Sequence, residues 1–134
     1  MPNKLRITVD ASTGDRIHAL QKQKLNQLEI FEPTCMMDIR ISVNFESPFS
    51  LESVKNEDIN HPAVLKRKKD RVAYEIGQGL LSIDLTQVTQ NSGYGNKIKH
   101  ELELEVKDVK RLMESEEALK MFIDSLRELC QFEI

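Results

Sequence analysis

The most regular pattern of polar and apolar positions in the chain is His100-Glu101-Leu102-Glu103-Leu104-Glu105-Val106, where acidic and apolar residues alternate without a break. A period of two belongs to a β-strand, so Glu101, Glu103 and Glu105 share one face and Leu102, Leu104 and Val106 the other. The same alternation predicts strands over Leu5 to Asp10, Asp38 to Glu46, Lys69 to Ile76 and Leu81 to Thr86. Ala11 to Asp15 predicts a hairpin turn after the first of these, and Gly77 and Gly79 a turn after the fourth. From Arg16 to Glu32 the period is weaker; it reads as strand, with a helix in the middle as the open alternative. Pro33 and Thr34 end it.

Two connections lack any period. Residues 47–65 hold Pro48, Pro62 and several acids and predict a long mobile loop. Gln90 to Asn96 is rich in Gly and Asn and predicts a flexible loop before the acidic strand. The end of the chain changes character. Ser115 followed by Glu116 and Glu117 is a helix start, since a hydroxyl caps free N–H groups and acids favour the positive end of the helix dipole. Leu119, Phe122, Ile123, Leu126 and Cys130 then recur at helical spacing, which predicts a helix over 115–130 with one apolar stripe for packing. The fold class is mainly β with a helical addition (α+β).

Length and charge narrow the function. A chain of 134 residues suits one domain, and a formal net charge of -3 argues against a protein that coats nucleic acid, so anions must be held by local clusters. With neither a signal peptide nor a long apolar run, the expected setting is soluble and intracellular, with no membrane partner. Cys35 and Cys130 have no CxxC spacing, and His18, His61 and His100 have no metal-ligand spacing, so neither a zinc site nor a redox motif is indicated.

The polar faces of the strands carry the chemistry. They bear charges of both signs: Arg6, Arg40, Lys69 and Arg71 against Glu46, Glu101, Glu103 and Glu105. The plain alternative is the wet face of an ordinary antiparallel sheet. Three same-face carboxylates about 7 Å apart repel one another unless water, basic side chains or a cation neutralise them. Oxygen donors of this kind suit Mg²⁺ or Mn²⁺, and basic residues on neighbouring strands suit a polyphosphate. A sheet curled with this face inward would form a charged channel, and metal-assisted phosphoryl transfer to water is the chemistry such a channel supports.

Asp38-Ile-Arg-Ile-Ser, Lys69-Asp-Arg-Val-Ala-Tyr, Ile83-Asp-Leu-Thr and His100-Glu-Leu-Glu-Leu-Glu, in this order, resemble the C-terminal two-thirds of the fungal and protist-type mRNA 5′-triphosphatases, which belong to the triphosphate tunnel metalloenzymes. The resemblance runs from about Lys4 to Val106 and implies an antiparallel β tunnel or barrel, incomplete at its N-terminus, followed by the helix. It implies metal ligands at Glu103 and Glu105 with Glu101 beside them, and a cofactor of Mg²⁺ or Mn²⁺. It implies that Glu46 positions the attacking water, that Arg40, Lys69 and Arg71 serve catalysis and bind phosphate, and that Arg6 and Lys22 bind phosphate as well. Arg67 and Asp84 match supporting residues of the wall.

Two departures stand out. Ser82 occupies a place where the family usually carries Lys or Arg, and the family's first Glu-x-Glu strand has no counterpart before Arg6. The expected function is removal of the γ-phosphate from the 5′-triphosphate end of nascent RNA, the first step of mRNA capping, in the nucleus. Expected partners are a guanylyltransferase and either a second copy or a complementing N-terminal half. The alternatives are a catalytically silent tunnel-fold scaffold and a hydrolase of inorganic polyphosphate or nucleoside triphosphates from the same superfamily.

Overall fold

In a computed structural model, residues 4–61, 65–92 and 94–131 are described. The chain divides into two compact units, Met1–Leu65 and Lys66–Ile134. Each holds a three-stranded antiparallel sheet. The architecture is mainly antiparallel β with a C-terminal helix, as expected, but among the described residues neither sheet closes on itself.

In the first unit β1 (Lys4–Val9), β2 (Arg16–Ile30) and β3 (Ile39–Phe49) lie in the order β1-β2-β3. The β1–β2 turn is held by Asp10, whose carboxylate accepts from Ser12 Oγ at 2.6 Å and from the backbone N–H groups of Ser12 and Thr13 at 2.8 and 3.0 Å. These bonds favour the charged form, the Ser12 hydroxyl most, and hold the Asp10 pKa down to about 2 from 3.8. Because the folded value lies below the unfolded one, the support this turn gives is present above roughly pH 4 and is lost as pH falls toward 2. An NMR titration of the Asp10 carboxyl should therefore show a midpoint near 2; one near the ordinary value would remove this account of the turn.

The weak period of Arg16 to Glu32 has a physical cause. The β2–β3 pairing runs Lys22↔Glu46 and Lys24↔Asn44, then Asn26↔Val43 and Gln27↔Ser42, so Leu25 is an inserted bulge residue. A bulge shifts the two-residue alternation by one place and turns later side chains to the other face. The whole of 16–30 is strand, and the helical alternative falls away.

The expected loop 47–65 is also more structured than its sequence pattern. Ser47 to Phe49 complete β3 by pairing with Gln21, Leu20 and Ala19. A 3₁₀ turn at Leu51–Ser53 and a short helix, α1 (Asn56–Asn60), follow. Val54 is buried, and Arg16 ties the segment down by donating to the Val54 carbonyl at 3.0 Å and to Asn56 Oδ1 at 2.5 Å. Pro48 is accommodated near the end of β3, an edge strand among the described residues. The part of the expected loop at 62–64 lies outside the described residues.

In the second unit β4 (Arg67–Ile76), β5 (Leu81–Ser92) and β6 (Gly95–Val106) are followed by α2 (Val109–Glu114) and α3 (Glu116–Cys130). The flexible loop expected at 90–96 is instead the end of a long hairpin, with Asn91↔Asn96 and Ser92↔Gly95 as its last pairs. Ser115 caps α3 by accepting from the Ala118 N–H at 3.2 Å, so the expected helix start holds; α2 precedes it, capped by Asp108 accepting from the Arg111 N–H at 3.0 Å. Leu80, Leu81 and Ala118 form the core with Ile76, Leu104, Val106, Leu112 and Phe122 around them. This packs the helices against one end of the apolar face of the sheet. Gly77 (φ +66°), Gln78 (φ 54°) and Gly79 (φ +82°) make the tight β4–β5 turn. Arg111 Nη1 donates to the Gly77 and Gln78 carbonyls at 2.9 and 3.1 Å, and Met121 Sδ fills the space a Cβ on Gly77 would need.

Candidate functional site

Register decides which side chains of the second unit meet. Residues paired across antiparallel strands point to the same face. On the polar face this gives successive rows across β4, β5 and β6: Glu75, Ser82 and Glu105; Ala73, Asp84 and Glu103; Arg71, Thr86 and Glu101; Lys69, Val88 and Lys99. Lys69, Arg71, Glu101, Glu103 and Glu105 therefore stand on one surface, with acids on β6 and cations on β4. The central strand contributes short side chains that are all buried, at 2–3% exposure for Ser82, Asp84, Thr86 and Val88.

Asp84 is the fixed point of this surface. Its carboxylate accepts from Ser82 Oγ at 2.5 Å and from Arg71 Nη1 at 3.2 Å. A buried carboxylate needs such partners, and the guanidinium, whose side chain is 53% exposed, is thereby aimed from a rigid base while part of it still faces outward. Ser82, which stands where the resembled family carries a cation, thus serves as the second donor to Asp84. Glu101 accepts from Arg67 at 2.7 Å, and Glu105 pairs with its neighbour Lys107 at 3.0 Å. Glu103 and Lys69 form no ion pair among the described residues.

Thr86 was not singled out by the sequence. Its hydroxyl is buried between Arg71 and Glu101 and has no hydrogen-bond partner, the only such side-chain atom among the described residues. A buried polar group left unpaired costs about 1–3 kcal/mol, and such groups mark places where a ligand or water completes the bonding. The alternation Ser82, Asp84, Thr86 was the available signal, because it puts Thr86 on the charged face of the central strand.

In the first unit the bulge keeps a second charged face in step. Lys4, Lys22 and Glu46 form one row, Arg6, Leu20 and Pro48 the next, and Glu29 pairs with Arg40 further along the same face. Lys22 Nζ and Glu46 Oε1 are 3.1 Å apart. Arg6 and Arg40 form no ion pair among the described residues. The candidate residues thus fall into two groups, Arg6, Lys22, Arg40 and Glu46 in the first unit and Lys69, Arg71, Glu101, Glu103 and Glu105 in the second.

For a divalent cation the donor chemistry fits in kind. Oxygen ligands on one rigid strand suit Mg²⁺ or Mn²⁺, the carboxylate of Glu103 is unpaired, and the exposed Glu105–Lys107 pair is weak enough to yield. It does not fit in number, since among the described residues no three acidic, His or Cys side chains converge tightly enough to hold an ion. The surface can hold phosphate oxygens at Lys69, Arg71 and the Thr86 hydroxyl and can present carboxylates to a cation that other ligands complete.

Comparison with known proteins gives consistent findings. The sequence model of the mRNA capping enzyme beta chain matches residues 1–132. The mRNA-capping enzyme subunit beta of Candida glabrata is 34% identical over 111 residues, covering 78% of this chain and 18% of that protein. The corresponding subunit of Schizosaccharomyces pombe is 32% identical over 119 residues, covering 88% and 37%. The S. pombe Pct1 RNA triphosphatase, solved in complex with the Spt5 CTD, superposes with a TM-score of 0.77 at 29% identity, over 97% of this chain and 52% of Pct1. The chain thus spans about half of the solved relative and less of the curated ones. Among the described residues no helix is long and apolar enough to cross a membrane.

Proposed function

Because the chain belongs to the mRNA capping enzyme beta-chain family, we propose that it supplies the phosphate-binding wall and part of the metal site of an RNA 5′-triphosphatase that removes the γ-phosphate from nascent RNA. The observation that carries this reading is the surface on which Lys69 and Arg71 stand beside Glu101, Glu103 and Glu105 with the unpaired Thr86 hydroxyl among them. Lys69 binds phosphate as a point charge, while Arg71, held by Asp84, offers a planar pair of donors. In the first unit, Arg6, Lys22 and Arg40 bind phosphate in this reading. Glu46 orients the attacking water and takes its proton, and for that Lys22 must give up part of its 3.1 Å contact. Mg²⁺ or Mn²⁺, held through Glu103 and Glu105 with Glu101 in support, would act as a Lewis acid on the phosphate oxygens. The reading places the protein in the nucleus beside a guanylyltransferase, with a second copy or an N-terminal half completing the ligand set.

Two observations favour a second reading, a silent scaffold: no three ligands converge among the described residues, and Ser82 stands where a cation is usual. The test is phosphate release from γ-labelled 5′-triphosphate RNA, for this chain alone and for the chain joined to a segment bearing a Glu-x-Glu strand. Metal-dependent release is expected from the joined protein, with RNA preferred over GTP and tripolyphosphate. Tripolyphosphate binding that depends on Lys69 and Arg71, without release from either protein, would make the scaffold the better description.

A further inference from the structure

The charged face of the second unit is polarised along its strands, and beyond Lys69 one end has no place in the chemistry above. At the acidic end each paired carboxylate already has a cation: Arg67 on Glu101, Arg71 on Asp84 and Lys107 on Glu105. Toward the β5–β6 hairpin the same face carries Lys69 and Lys99 on either side of the buried Val88, and then Lys97, whose row partner Arg67 reaches back to Glu101. None of these three lysines has an ion pair among the described residues. Like charges set across a sheet without a counter-charge are unfavourable unless an anion joins them. Just past this row, at the hairpin turn, Tyr94 is fully exposed.

From this we infer that the hairpin end of the β4–β5–β6 sheet is a track for single-stranded RNA. Lys99 and Lys97, in neighbouring rows of β6, meet successive phosphates of the nucleotides that follow the 5′-triphosphate, and Tyr94 stacks on a base, while Lys69, across Val88 from Lys99, stays with the triphosphate. The inference rests on the proposed function for the identity of the 5′ end and extends it to the rest of the substrate. Rows on one face of a strand repeat every 6.6–6.8 Å or so, a spacing close to that between neighbouring phosphates of an extended single strand. An exposed aromatic beside a basic strip is the combination that holds single strands without reading sequence. A free nucleotide or inorganic polyphosphate has no downstream phosphates and cannot use this strip, which gives the chain a physical basis for preferring RNA.

Fluorescence anisotropy tests this with the full chain and four probes: an eight-nucleotide RNA with a 5′-triphosphate, the same RNA with a 5′-hydroxyl, a duplex of it, and an acidic peptide of equal charge. The double variant K97Q/K99Q should weaken binding of both single-stranded RNAs by about tenfold and reduce the slope of log affinity against log salt by about 1.4, two lysines at 0.7 each. Its affinity for tripolyphosphate should not change. Y94A should weaken single-strand binding about fivefold or more, with Y94F restoring it. Because the 5′-hydroxyl RNA bypasses the triphosphate site, its response reports on the track alone, whereas tripolyphosphate binding by Lys69→Ala reports on the function proposed above. The inference is overturned if the 5′-hydroxyl RNA is bound equally by native and double-variant protein, or if the duplex or the acidic peptide binds as well as the single strand.

Discussion

Glu103→Ala, in an active protein containing this chain, should cut metal-dependent phosphate release by on the order of a thousandfold or more, about 4 kcal/mol of transition-state stabilisation. Glu103 lies on the charged face between Glu101 and Glu105 and is the acid of β6 that no cation of the described residues occupies. Its loss should exceed the 10- to 100-fold typical of removing a residue that only supports a metal ligand. Glu105→Ala should approach the same effect, since its exposed pair with Lys107 is worth at most about 1 kcal/mol and competes poorly with a divalent ion. Glu101→Ala should be milder, about tenfold, because Arg67 at 2.7 Å already engages that carboxylate. The measurement is steady-state phosphate release over a titration of Mn²⁺ and of Mg²⁺. Glu103→Ala activity within tenfold of native at ordinary metal concentrations would take the metal away from this strand.

The strands were legible because their polar and apolar residues alternate strictly, and in the second unit register then follows from hairpin pairing. Once Leu81 pairs with Ile76 and Val106, every charged residue of the acidic strand has a defined opposite number. Two features escaped because they break local rules. Leu25 is a bulge, and one inserted residue makes a strand of 15 residues look aperiodic. The hairpin at 90–96 is built of Gln, Asn and Gly, which read as loop, yet cross-strand pairing continues through them. The order within 47–65 was invisible for another reason: its lack of period spoke for mobility, whereas tertiary anchors such as Arg16 on Val54 and Asn56 come from far along the chain. At the site, the types of charge were readable, but not who neutralises whom. That Ser82 serves Asp84, and that Asp84 serves Arg71, depends on burial, which sequence alternation does not report.

That last relation gives the second large effect. Arg71→Met should destabilise the chain by about 3 kcal/mol, because it leaves the Asp84 carboxylate 2% exposed with Ser82 as its remaining partner. Asp84→Asn should cost less, about 1 kcal/mol, since the amide can still bond to Ser82 and the half-exposed Arg71 head can return to water. The double variant should be less unstable than the sum of the two, because the unpaired buried charge that makes Arg71→Met costly is gone. Phosphate binding separates the two roles. Arg71→Met removes a contact to the anion, whereas Asp84→Asn keeps the cation and loosens its aim, so tripolyphosphate affinity should fall about tenfold or more for the first and severalfold for the second. Urea denaturation gives the stabilities and calorimetric titration the affinities. If Arg71→Met proves no less stable than Asp84→Asn, the carboxylate does not depend on Arg71 for its burial, and the guanidinium would be an ordinary surface charge whose orientation Asp84 does not set.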